Sequence, residues 1–212
     1  MTYTAGRLNG LNHKENFMNH HHHHHHHPTE LITNPDIALQ ILKAGNERYI
    51  KDELTEKRDY RAAREVLISG QKPFAVILTC SDSRVPPEIF FDQKLGNIFT
   101  IRNAGNIVDQ TALGTLEYAV AQLKTRLIVV CGHTNCGAVT AACLGGEFPP
   151  NIKYIVDQIK PAVAMGGDVK DVIYNNVKRM VEQIKEDEIV KRLGVTVVSA
   201  CYDIYTGEVH WL

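Results

Sequence analysis

"RLIVVCGHTNCGAVTAACL", residues 126 to 144, runs from an unbroken apolar segment through a short polar turn into a stretch of small residues. Leu127 to Cys131 shows no alternation of apolar and polar positions, which is the mark of a strand covered on both faces. A helix can begin within "NCGAVTAACL" just beyond it. A strand feeding a helix is half of a βαβ unit, so this stretch predicts an α/β fold on a parallel sheet. The turn between them holds His133 and Cys136, three positions apart. A metal site, a redox pair and a core cysteine beside a stray imidazole are all open readings at this point.

The flanking sequence repeats the pattern. "PFAVILTC" (73–80) and "NIFTIR" (97–102) are short apolar runs that end at polar residues. "DQTALGTLEYAVAQLK" (109–124) places Ala112, Leu116, Ala119, Val120 and Leu123 on one side of a helix. Near the N-terminus, "NPDIALQILKAGNERYIKDE" (34–53) offers Asn34 as a cap with Pro35 at the first helical position. A second helical pattern, "DYRAAREVLISG" (59–70), closes on Gly70. Residues 151–193 read as mostly helical with a break at "AMGGD" (164–168), and "VTVVSACYD" and "GEVHWL" form two strands joined through "IYTG". The expected architecture is a mostly parallel central sheet flanked by helices, with an N-terminal helical arm and an antiparallel edge strand at the C-terminus.

Of eleven histidines, eight form the unbroken run His20–His27, which reads as a purification tag. Residues 1–33 are therefore set apart as tag or disordered extension, and 34–212 as a single domain. A formal net charge of −1 in 212 residues gives no electrostatic reason to expect nucleic acid or an anionic membrane as partner. No apolar stretch approaches the roughly 20 residues that span a bilayer, and no secretory signal is visible, so a cytoplasmic location is expected. Five cysteines, an odd number with scattered spacing, speak against a disulfide framework and leave thiols for metal or catalysis.

In open parallel sheets ligands bind beyond the carboxyl ends of the strands. "PFAVILTC" ends at Cys80, followed at once by Ser81, Asp82, Ser83 and Arg84; "RLIVVCG" leads to His133, with Cys136 one turn on. Two thiols and an imidazole thus come to one rim, a donor set that zinc takes, three protein ligands with a fourth open position being the catalytic form. A buried cysteine is more often a small hydrophobe and a lone histidine a structural residue. The convergence of three such residues beside an Asp-x-Arg favours metal, and the absence of Cys-x-x-Cys disfavours a redox pair. Cys131, Cys143 and Cys201 lie in apolar runs and read as core, while His210 reads as surface on an edge strand.

"CSDSRVPPEIFFDQ" (80–93), "IRNAGN" (101–106), "ALGTLEYAV" (112–120) and "GHTNCGAV" (132–139), in this order, resemble the β-class carbonic anhydrases. The resemblance implies reversible hydration of carbon dioxide to bicarbonate by attack of zinc-bound hydroxide, with one Zn2+ per chain held by Cys80, His133 and Cys136. It makes Asp82 and Arg84 a catalytic dyad. Gln71, nine residues before Cys80, and the Gly137 amide would bind substrate oxygen; Phe99, Ala104 and Tyr118 would line the pocket, Tyr118 reaching a neighbouring subunit. Homodimers, often doubled to tetramers, are implied too. Ile77 stands where some bacterial members carry a tryptophan for a noncatalytic bicarbonate site, so the form with Asp82 paired to Arg84 is expected. Hydrolysis of carbonyl sulfide or carbon disulfide and a non-catalytic zinc-stabilised bicarbonate sensor remain the alternatives. Zinc with two thiolates and a neutral imidazole is formally neutral, so it should acidify water less than a three-histidine site does, and activity should rise with pH.

Overall fold

The computed structural model describes residues 31–55 and 59–212. The histidine run and the rest of residues 1–30 lie outside the described residues. Ile32, just ahead of the boundary expected at Asn34, packs against the core.

Helix α1 (Pro35–Ile50) starts as its sequence dictates: Asn34 Oδ1 accepts from the amides of Asp36 and Ile37 at 2.9 and 3.2 Å, with Pro35 in the first turn. Its inner side carries Gly45 and Asn46. A Cβ at Gly45 would sit 1.9 Å from the Phe91 carbonyl oxygen, so only glycine permits this approach. Asn46 donates to the carbonyls of Phe90 and Gly207 and accepts from the Val209 amide, tying α1 to two distant segments. Helix α2 (Tyr60–Leu67) differs, since none of its side chains is buried within this chain.

Strands β1 (Ala75–Cys80) and β3 (Leu127–His133) are buried along their whole length, as their unbroken apolar runs require. Helix α3 (Pro87–Phe90) and strand β2 (Ile98–Asn103) follow β1, and a 3-10 turn (Ala104–Asn106) leads on to helix α4 (Gln110–Ala121). After β3 come α5 (Gly137–Leu144), α6 (Pro150–Val163), α7 (Val169–Lys185) and α8 (Glu188–Arg192), then β4 (Thr196–Tyr202) and β5 (Val209–Trp211). The strand order is β2-β1-β3-β4-β5, parallel except for the antiparallel β4–β5 edge. The helical stretch after α5 breaks at Gly166 and Gly167 as expected, and also before Asp187, whose side chain caps α8. Sequence periodicity does not resolve α3, a single turn entered at Pro87.

The chain leaves β1 on one side for β2 and returns on the other to β3. That reversal opens a crevice beyond the carboxyl ends of β1 and β3, the position where parallel sheets bind ligands. Cys80 and His133 are the last residues of those two strands.

Candidate metal centre

Cys80, His133 and Cys136 converge in this crevice, all buried, with their ligand atoms within 4.8 Å of one another. His133 is fully buried, and its Nδ1 lies 2.8 Å from the Thr134 carbonyl. A carbonyl only accepts, so Nδ1 carries the proton and Nε2 presents a lone pair. Nε2 has no hydrogen-bond partner among the described residues. An orphaned imidazole nitrogen facing two thiols, its other nitrogen locked by a carbonyl, is the arrangement a zinc ligand needs.

The sulfurs are prepared unequally. Cys80 is held below the usual thiol range, first by the Cys136 thiol that donates to it, then by the amides of Gly105 and Asp82, against its own burial. The same contact and burial push Cys136 up, although the amides of Ala138 and Val139 at the start of α5 face its sulfur and favour the thiolate. One proton shared between two sulfurs is what a divalent cation replaces, so these residues fit zinc.

Beside the sulfurs, Arg84 Nε and Nη2 bind Asp82 Oδ1 and Oδ2 at 2.9 and 2.6 Å, and the Arg84 amide donates to Oδ1 as well. Those bonds hold the Asp82 carboxyl well below the usual carboxylate range. Arg102, to which the sequence motifs assign no role, donates to the main-chain carbonyls of Cys80 and Asp82 at 2.9 and 2.6 Å and fixes the loop that carries both. Asn135, with φ of 57°, offers its carbonyl to Arg84 at 3.4 Å, and its side chain donates to Tyr205 Oη.

The other expected residues divide. Gly137 opens α5 directly after Cys136, and Ala104 follows Asn103, the partner of Cys80 in the sheet. Phe99 instead pairs with Val76, four residues before Cys80, which places it about 13 Å away along the strand. Tyr118 lies with Phe99, ring centroids 6.3 Å apart. Gln71 precedes β1 altogether and is exposed. Within one chain these three residues occupy the end of the sheet opposite the sulfurs. Cys131 and Cys201 are buried, whereas Cys143 is only half-buried, a departure from the core position expected of it.

A profile of the carbonic anhydrase family matches residues 75–209. A carbonic anhydrase 2 of Mycobacterium tuberculosis is 45% identical over 141 residues, covering 63% of this chain and 67% of that protein. The carbonic anhydrase of Mycolicibacterium smegmatis is 41% identical over 138 residues, with the same coverage of both. Among solved structures, tetrameric β-carbonic anhydrases from Sordaria macrospora superpose with a TM-score of 0.66 at 26% identity, covering 72% of this chain and 89% of that one. The Coccomyxa β-carbonic anhydrase gives 0.65 at 28% identity, covering 73% and 80%. With the zinc-type donor set at the β1–β3 crevice, these matches place the chain in the β-class carbonic anhydrase family.

Proposed function

We propose that this chain catalyses the reversible hydration of carbon dioxide to bicarbonate and a proton, with zinc held by Cys80, His133 and Cys136. The observation that carries this reading is the buried Cys-His-Cys cluster standing beside an Asp82 carboxylate locked by Arg84. Zinc bound there supplies a Lewis acid that makes hydroxide available from water near neutral pH, a chemistry best characterised in carbonic anhydrases with three histidine ligands.

The chain's own groups do the rest. Asp82, ionised at every working pH, would accept the hydrogen bond of the nucleophile and so orient it towards the carbon of the substrate. By engaging both carboxylate oxygens, Arg84 would keep that carboxylate off a metal held there. In this reading the Gly137 amide, at the start of α5, donates to the oxygen that gains charge, and its position directly after Cys136 supports that role. Ala104 provides a small apolar wall suited to a linear nonpolar substrate.

Gln71, Phe99 and Tyr118 serve the site of a partner subunit in this reading. Their grouping at the far end of the sheet supports it, as does α2, which buries none of its side chains in its own chain and leaves the adjoining Ile68 84% exposed. The assembly is a homodimer or a dimer of dimers. Residues 34–212 act as one domain. All five cysteines are free thiols, which suits a reducing compartment, and the cytoplasm is the location proposed. No described helix is long and apolar enough to cross a membrane.

Stopped-flow hydration of carbon dioxide from about pH 6.5 to 9, with zinc content measured on the same protein after removal of the histidine run, tests the proposal. About one zinc per chain with activity rising through the range is expected. Full zinc loading without hydration at any pH would overturn it.

A further inference from the structure

The apolar face of α7 is interrupted by one fully buried amide. Val172, Ile173, Val177, Met180, Val181 and Ile184 line that face, and Asn176 sits among them at 1% exposure. Its Oδ1 has no hydrogen-bond partner among the described residues, so burying it is unfavourable unless its other end gives something in return. That other end, Nδ2, donates to the Gly105 carbonyl at 2.9 Å.

Gly105 is the residue whose N–H reaches Cys80 Sγ, at 3.4 Å. Its backbone has φ of 75° and ψ of 15°, and a Cβ there would stand 2.7 Å from Ile159 Cδ1 and 3.2 Å from Ala138 Cβ. Position 105 therefore demands glycine, and glycine restrains its own dihedrals least of all residues. Something outside it must set where the N–H points. Helix α7 does this at three positions one turn apart. Asn176 holds the Gly105 carbonyl, Met180 Sδ receives the Val108 amide at 3.1 Å, and Gln183 Nε2 donates to the Val108 carbonyl at 2.9 Å. The helix is itself wedged on the sheet, since a Cβ at Gly132 in β3 would meet Val177 Cγ2 at 2.6 Å.

We propose that Asn176 is a positioning residue of the metal centre: by holding the Gly105 carbonyl it aims the Gly105 N–H at Cys80 Sγ and sets how strongly that thiolate donates to the metal. A thiolate that accepts a hydrogen bond donates less to its metal and is held in place for it. Without Asn176 the loop turns, the sulfur loses its donor, and the metal faces a more basic but less well held ligand. The inference rests on the reading of Cys80 as a zinc ligand.

The test uses the intact protein loaded with cobalt(II), whose thiolate-to-metal charge-transfer band reports sulfur donation directly. Asn176→Leu removes the donor and also the unpartnered Oδ1, so the fold should tolerate it; circular dichroism and thermal melting check this. The expected result is a band moved to longer wavelength and a zinc affinity, measured by dipicolinate competition, reduced about 10-fold. Asn175→Ala, one residue earlier on the same helix, with its side chain on the Gly166 carbonyl, should change neither. A folded Asn176→Leu protein with an unmoved band and unchanged affinity overturns the proposal while leaving the zinc assignment intact. If that variant does not fold, cadmium-113-loaded wild-type protein decides: scalar coupling from the metal to the Gly105 amide proton is expected, and its absence overturns the proposal. A wild-type protein that takes up neither metal overturns this inference and the zinc reading together.

Discussion

Arg84 grips Asp82 through two parallel contacts, Nε to Oδ1 at 2.9 Å and Nη2 to Oδ2 at 2.6 Å, which uses both carboxylate oxygens and fixes the plane of the group. A surface ion pair of this kind contributes little to stability. Its worth here lies in geometry, because Asp82 carries its amide to Cys80 and stands beside His133. Arg84→Ala should lower kcat/KM for carbon dioxide hydration about 100-fold and Asp82→Ala at least as much, the cost of an unaligned or absent acceptor. Both should keep their zinc and melt within a few degrees of the parent. Loss of zinc in Asp82→Ala would show that the carboxylate supports the metal and not the reaction.

Cys201 predicts the alkaline behaviour of the fold. Burial, then the nearby Asp203 carboxylate, pushes its thiol up to about 12, whereas an unfolded cysteine ionises near 8.5. The neutral thiol favours the fold fully below about pH 8.5, and that contribution is lost as pH rises towards 12, at up to about 1.4 kcal/mol per pH unit. Thermal stability of zinc-loaded protein should therefore fall between about pH 8.5 and 10, and Cys201→Ala should make that fall less steep, the buried Cys131 thiol, likewise pushed up by burial, supplying the rest. Parallel slopes for the two proteins would remove Cys201 from the account.

The five thiols should also separate by reactivity. Cys131 and Cys201 are buried, Cys80 and Cys136 belong to the candidate metal cluster, and Cys143 alone is half-buried. A thiol-disulfide reagent added to native zinc-loaded protein should label about one cysteine per chain, identified by peptide mapping as Cys143, and removal of zinc should leave two more sulfurs free to react, more slowly because they are buried. Early labelling of Cys80 or Cys136 with zinc present would contradict their role as ligands.

Gly45→Ala sets two effects against each other. Replacing a mid-helix glycine by alanine favours the helix by about 1 kcal/mol. The new Cβ, however, would stand 1.9 Å from a main-chain oxygen of Phe91, which cannot swing aside as a side-chain tip would. The clash should win, destabilising the protein by about 2–4 kcal/mol and lowering its melting temperature by about 10 °C. An unchanged or raised melting temperature would mean that α1 is not docked through this face.

How far the sequence is legible follows from what each residue depends on. The unbroken apolar runs of β1 and β3 are local signals of two-sided burial, and from them alone Cys80 and His133 fall on one rim. The cap at Asn34 and the break at Gly166 and Gly167 are equally local. Asn176 is not legible: in sequence it is one polar residue on a mixed-charge helix, and its meaning comes from a contact 71 residues away. Arg102 is hidden for the same reason, as its partners are main-chain carbonyls, which no side-chain pattern announces. Gln71, Phe99 and Tyr118 can be named by resemblance but not located, because in the proposed reading they serve the site of a second chain.

That dependence can be tested by mixing subunits. The six residues of β1 span about 17 Å, with Cys80 at one end and Gln71 beyond the other, so one chain cannot bring Gln71 to its own sulfurs while the strand is intact. If a partner supplies it, Gln71→Ala and Asp82→Ala impair the same site from opposite chains. Each homodimer should be weakly active, having the defect at both sites. When the two are unfolded and refolded together, about half the dimers are mixed, and in a symmetric pair one of the two sites then has both Gln71 and Asp82. Roughly a quarter of the parent activity should return. If Gln71 acted within its own chain, every site in the mixture would carry one defect and nothing would be recovered, and activity no greater than the average of the two variants would sink the shared-site reading. A Gln71→Ala protein with full activity would instead remove Gln71 from the site altogether.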